Sequence, residues 1–141
     1  MRESLFRGKR LSGGKWVEGS LLQVTLDGET WWLIFGDDFI RSGTGISAMQ
    51  HAAVDPNTIG QFTGMTDKNG KKIFEGDILK FSYTGENKGV EGMETVVFKN
   101  GKFGVEWGWH RELVALDGFA NTTMAVIGNI HDNPELVEES V

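Results

Sequence analysis

Thr58-Ile-Gly-Gln-Phe-Thr-Gly-Met-Thr-Asp-Lys-Asn-Gly-Lys-Lys-Ile-Phe-Glu-Gly-Asp-Ile-Leu79 alternates short β-prone runs with turn residues at close intervals. Asp67-Lys-Asn-Gly70 separates residues 61–66 from 71–74, and Glu75-Gly76-Asp77 precedes a second apolar run, 78–83. Turns of this kind recur on both sides. Ser12-Gly13-Gly14 divides 5–11 from 15–24, Asp27-Gly28 divides 20–26 from 29–35, and Asn100-Gly101 divides 95–98 from 102–107. Asp-Gly and Asn-Gly supply the positive φ that two-residue hairpin turns require. The runs between turns are rich in β-branched and aromatic residues and too short for helices. The chain therefore reads as mostly antiparallel β. Helix is expected in two places. One is a short turn over 47–54 that stops at Asp55-Pro56. The other begins at Asn133-Pro134-Glu135, with an N-cap residue and then proline at the first helical position. Residues 37–45 and 84–92 lack pattern and read as long loops, where function often resides.

Composition narrows the function classes. With 141 residues, 39% hydrophobic and 24% charged, the chain has the profile of an ordinary soluble globular protein. It has no cysteine, which excludes disulfides, thiolate metal sites and cysteine nucleophiles and fits a reducing cytosol. Residues 1–12 lack the apolar core of a signal peptide, and no run approaches a membrane span. A net charge of −6 argues against a uniform coat on duplex DNA. The charge is uneven, however. Residues 1–15 carry five basic side chains against Glu3, and residues 129–141 carry four acidic ones and no Lys or Arg. The five are Arg2, Arg7, Lys9, Arg10 and Lys15, and they leave room for a nucleic-acid patch.

No catalytic motif emerges. Asp67-Lys-Asn69-Gly70 is a turn and not a calcium loop, because Met65 and Gly76 stand where that loop needs ligands. Glu75 and Asp77 offer two carboxylates two residues apart, but the bend at Gly76 favours Asp77 as an acceptor that fixes the turn. His51, His110 and His131 have no metal-ligand spacing. No nucleophile elbow, Walker loop or dinucleotide fingerprint is present. The remaining signal is aromatic. If residues 107–111 continue a strand, Trp107, Trp109 and Arg111 share a face beside His110 and suit a peptide, a base or a second subunit. The competing reading puts the tryptophans in the core. Trp31 and Trp32 point to opposite sides of any strand, so a one-sided sheet would bury only one of them. A weak internal echo relates 16–22 to 73–79 and 29–33 to 94–98, with Gly19 and Gly76 as matched bends; chance similarity between β segments is the simpler reading.

Three groups of residues, taken in order, resemble the YopX family of phage and prophage proteins. They are Phe6-Arg-Gly-Lys-Arg10 with Gly14-Lys-Trp-Val-Glu-Gly-Ser-Leu21; Gly60-Gln-Phe-Thr-Gly64 through Ile73-Phe-Glu-Gly-Asp77; and Val126-Ile-Gly-Asn-Ile130 with Asn133-Pro-Glu-Leu136. Residues 37–53 and 84–94 carry no family motif. The resemblance implies a small antiparallel SH3-like barrel, or roll, at 57–132. A β-rich N-terminal portion, 1–56, would pack on it, and a helical turn or tail would occupy 133–141. It implies no catalytic residue, metal or cofactor. The resulting expectation is a phage-encoded, non-enzymatic protein in the bacterial cytoplasm. It would bind an unidentified protein partner or a second copy of itself, without a membrane. The binding residues would be Trp107, Trp109, Arg111 and His110. The alternative is a nucleic-acid accessory protein using the basic N-terminus and the Trp107/Trp109 face.

Overall fold

The computed structural model describes residues 5–36, 46–86, 89–107, 110–119 and 122–138. It divides into two compact units, Met1–Phe62 and Thr63–Val141. The division falls inside a strand, six residues beyond the boundary expected from the sequence.

In the first unit β1 (Phe6–Lys9), β2 (Trp16–Leu26) and β3 (Glu29–Phe35) form an antiparallel meander, and β4 (Gly60–Thr66) joins β1 at Gly60 and Gln61. Asp27 and Gly28 both adopt positive φ, 51° and 80°, as the Asp-Gly hairpin requires. The β2–β3 hairpin buries both faces. Trp32 and Ile34 pack with Val17 and Val54, while Trp31 and Leu33 pack with Ala52, Ala53 and Met49. The second face is covered by α1 (Ile46–Ala52), so the sheet is two-sided and both tryptophans are accommodated. Asp55 ends this segment by capping a 3-10 turn, Pro56–Thr58, and accepts from the Asn57 N–H at 3.0 Å.

In the second unit the end of β4 pairs with β5 (Lys72–Phe74). Two three-stranded antiparallel sheets follow. One is ordered β11 (Thr122–Asn129), β6 (Asp77–Tyr83), β7 (Glu91–Thr95). The other is ordered β10 (Glu112–Ala115), β9 (Lys102–Trp107), β8 (Val97–Lys99). They share one core of Ile73, Leu79, Phe81, Val96, Val105 and Leu116. Asn100 and Gly101, at φ 54° and 78°, close the β8–β9 hairpin.

Several sequence expectations change here. No sheet closes on itself among the described residues, so the strands do not form a closed barrel. The run 95–98 looks continuous, but the Val96 N–H donates to Asp77 O (2.8 Å) and its carbonyl accepts from the Gly76 N–H (2.9 Å). β7 ends at Thr95 and β8 begins at Val97, so the chain passes from one sheet to the other across Val96 while Val96 itself stays bonded to the start of β6. Residues 91 and 92, read as loop, belong to β7. The internal echo has no structural counterpart: Gly19 sits inside β2, whereas Gly76 turns at φ 93° between β5 and β6. At the end of the chain α2 (Glu135–Glu138) forms, but the Asn133 side chain turns away from it to accept from the Asn129 N–H. The expected loop at 37–45 lies outside the described residues. No helix among the described residues is long and apolar enough to cross a membrane.

Candidate functional site

Trp107 ends β9, and alternation along that strand sets its direction. Val105 and Trp107 face the core, and Glu106 faces the other side. Trp107 packs edge-on against Phe81 (5.2 Å, 69°) and against Phe119 (5.5 Å, 78°). Its ring also fills the space above Gly92. A Cβ added there would lie 2.3 Å from the indole edge, against a ring that its neighbours hold in place. Gly92→Ala is therefore expected to cost about 2 kcal/mol through overpacking. It should also perturb the near-ultraviolet circular dichroism of the half-buried indole. A variant with unchanged stability and spectrum would mean that Trp107 is not clamped in this way.

β9 ends at Trp107, and Arg111 lies in a turn before β10, so Arg111 is not carried on the same strand as Trp107. Glu112 pairs directly opposite Trp107, and His110 and Arg111 form a turn just before β10. Trp109 lies outside the described residues. His110 is exposed in this turn, next to Arg111, which adopts φ 54°. That backbone is uncommon for a side chain with a Cβ. From it, the Arg111 guanidinium donates to both carboxylate oxygens of Glu94, at 2.7 and 3.1 Å.

This ion pair stands in a groove of about 510 Å³ lined by Met93, Glu94, Thr95, Val97, Glu106, Arg111 and Val137. Met93, Val97 and Val137 give it an apolar wall. Its carboxylates are recessed, with Glu94 22% and Glu106 30% exposed, while their partners Arg111 and Lys99 are 56% and 53% exposed. The hydrogen bond from Lys99 holds the Glu106 carboxyl below its usual range, and desolvation opposes it. Hydrogen bonding to Glu94 raises Arg111 above its ordinary value.

The residues of the turn-rich stretch do structural work. Asp67 is 7% exposed. Its Oδ1 accepts from the Asn69 and Lys71 N–H groups, and its Oδ2 from the Val126 N–H, all at 2.9 Å. Asp77, 1% exposed, accepts from the Phe74 N–H at 2.7 Å and so fixes the turn before Ile78. Glu75, Asp77 and His110 do not line the groove. Among the described residues no three His, Asp or Glu side chains gather to hold a metal ion. The groove was missed by sequence reasoning because its walls come from residues 93–97, 106, 111 and 137, which no spacing rule links.

Comparison with known proteins bears on lineage. A search of curated proteins finds no match. Among solved structures the chain is similar to protein EF1440 from Enterococcus faecalis, at 24% identity and a TM-score of 0.53, over 97% of this chain and 99% of that one. It is also similar to protein yopX from Bacillus subtilis, at 18% identity and a TM-score of 0.57, over 96% and 98%. At these identities the likeness speaks to the fold. The family model described as YopX protein matches residues 5–138, and the chain belongs to the YopX family.

Proposed function

We propose that this chain is a non-enzymatic binding module that engages a protein partner through the β7–β9 groove, with the 110–111 turn beside it. The observation that carries this reading is the groove itself. It combines an apolar wall with ordered charged groups, the mixture typical of a protein-binding hot spot. Trp107 supports the site from the core side, Arg111 supplies a polar group within it, and His110 sits beside Arg111 in the adjoining turn. The two three-stranded sheets around Phe81 are read as an SH3-like roll left open at its edges. The setting is the cytoplasm of a phage-infected or lysogenic bacterium.

A nucleic-acid role draws less support. Arg7, in the basic N-terminal cluster, is only 9% exposed and lies over the Trp16 ring at 4.9 Å, with Lys9 over the same ring at 5.5 Å. These cations are committed in part to the β1–β2 surface. The test is affinity capture of tagged protein from host cells, with and without nuclease, alongside a Val97→Lys variant that fills the groove wall with a charge. Capture of a protein at stoichiometric level that survives nuclease and falls at least tenfold in the variant is expected. Capture that vanishes with nuclease supports the nucleic-acid alternative, and capture indifferent to Val97→Lys places the interface elsewhere.

A further inference from the structure

The layering of charge in the groove says what kind of group it receives. Both acids sit deeper than the bases that pair with them. Glu94 and Glu106 are 22% and 30% exposed, against 56% for Arg111 and 53% for Lys99. The carboxylates thus belong to the walls, while the cations reach in from outside on long side chains. A surface ion pair of this type contributes little net stability, because its side chains lose rotamer freedom and water screens the charges. An incoming cation can replace Arg111 or Lys99 at little expense. The replaced cation regains its hydration, and the recessed carboxylate keeps a partner throughout. Glu94 already receives a guanidinium in two-pronged geometry, so an arginine from a partner can make the same contact.

The surrounding charge has the matching sign. Residues 63–141 carry eight Lys and Arg against thirteen Asp and Glu, a net of −5. A field of that sign draws in a basic partner and slows an acidic one. Met93, Val97 and Val137 stand next to the carboxylates and suit an apolar residue beside the cation.

We infer that the β7–β9 groove receives a protein segment bearing arginine next to apolar residues, and that this arginine takes Glu94 from Arg111 by exchange. Arg111 is then an internal competitor that sits in the site until the partner arrives. This inference rests on the groove being the binding surface.

The probe is a fluorescein-labelled peptide, acetylated Leu-Arg-Leu-Arg-Leu-amide, followed by fluorescence anisotropy. Its counterpart with Glu in place of Arg serves as control. The Arg peptide is expected to bind more tightly than the Glu peptide and to weaken as salt rises. Glu94→Gln is expected to weaken it at least tenfold. Arg111→Gly removes the competitor and suits the left-handed backbone at that position, so it is expected to tighten binding about three- to fivefold, the equivalent of one surface ion pair. Thermal melts of each variant separate loss of the site from loss of the fold. Weaker binding by a folded Arg111→Gly variant overturns the exchange. Indifference to Glu94→Gln, or equal affinity for the Glu peptide, overturns the assignment of a cationic ligand. The two readings fail separately: if cellular capture still depends on Val97 while the Arg peptide ignores Glu94, the groove stands and only its ligand class falls.

Discussion

Phe81→Ala is expected to lower the unfolding free energy by about 4 kcal/mol, a large share of the stability of a chain this size. Phe81 is fully buried on β6, the middle strand of its sheet. It joins the shared core, meeting Trp107 edge-on and Phe119 at 4.6 Å between ring centroids. Truncation removes the transfer energy of the ring and leaves a cavity that strands paired on both sides of β6 cannot collapse to fill. The two other rings lose their packing partner as well. With a urea dependence of about 2 kcal/mol per molar, the unfolding midpoint should fall by about 2 M. Phe81→Leu keeps much of the volume and is expected to cost about 1 kcal/mol. A Phe81→Ala midpoint within 0.5 M of wild type, on the order of 1 kcal/mol at that dependence, would sink the claim that both sheets rest on this ring.

The parts of the fold that were legible in the sequence are those governed by local chemistry. Asp27-Gly28 and Asn100-Gly101 read as hairpin turns, and all four residues adopt positive φ. Alternation sent Trp31 and Trp32 to opposite faces, and the structure packs them in two separate clusters. What the sequence left open was whether something covers the second face; α1 does, through Met49 and Ala52, with Ala53 just after it. The failures share a different origin. Val96 lies in a run of uniform β propensity, yet β7 stops before it and β8 starts after it, and its backbone bonds go to Gly76 and Asp77, about twenty residues earlier. Residues 107–112 contain neither Asn-Gly nor Asp-Gly. Arg111 is left-handed there, a residue type that gives no turn signal. Tertiary contact overrode local propensity in the first case, and an unconventional turn hid in the second. Thr95 and Val97, on either side of the first, and Arg111, in the second, line the groove. The candidate site was illegible for the same reason that those two elements were misread, and only Arg111 and its neighbours could be singled out from the aromatic pattern.

Asp67→Ala is the second large effect, about 3 kcal/mol, and its cause is backbone satisfaction and not packing. One carboxylate accepts three backbone N–H groups. Two come from its own turn, at Asn69 and Lys71, and the third comes from Val126 on β11. The Lys68 N–H adds a second link to the same strand by donating to Met124 O at 2.9 Å. Alanine removes all three acceptor contacts. Asn69 and Lys71 are exposed and regain water, whereas the Val126 N–H is only partly accessible. Asparagine is not a neutral replacement, since one of its two ends is a donor and must face either the turn or Val126. The pH dependence separates the charge from the shape. Burial pushes the Asp67 carboxyl up, but the bonds from Val126, Lys71 and Asn69, with the Lys71 charge, outweigh it and hold the group below its ordinary 3.8. A depressed carboxyl contributes stability that is complete above the unfolded value and is lost as pH falls through the folded one. Wild type should therefore exceed Asp67→Asn by its full margin at pH 7, and the gap should narrow steadily below about pH 4. Urea midpoints of both proteins at pH 7 and pH 3 measure this. A gap that stays constant across that interval would show that the ionised carboxylate is not what joins the turn to β11.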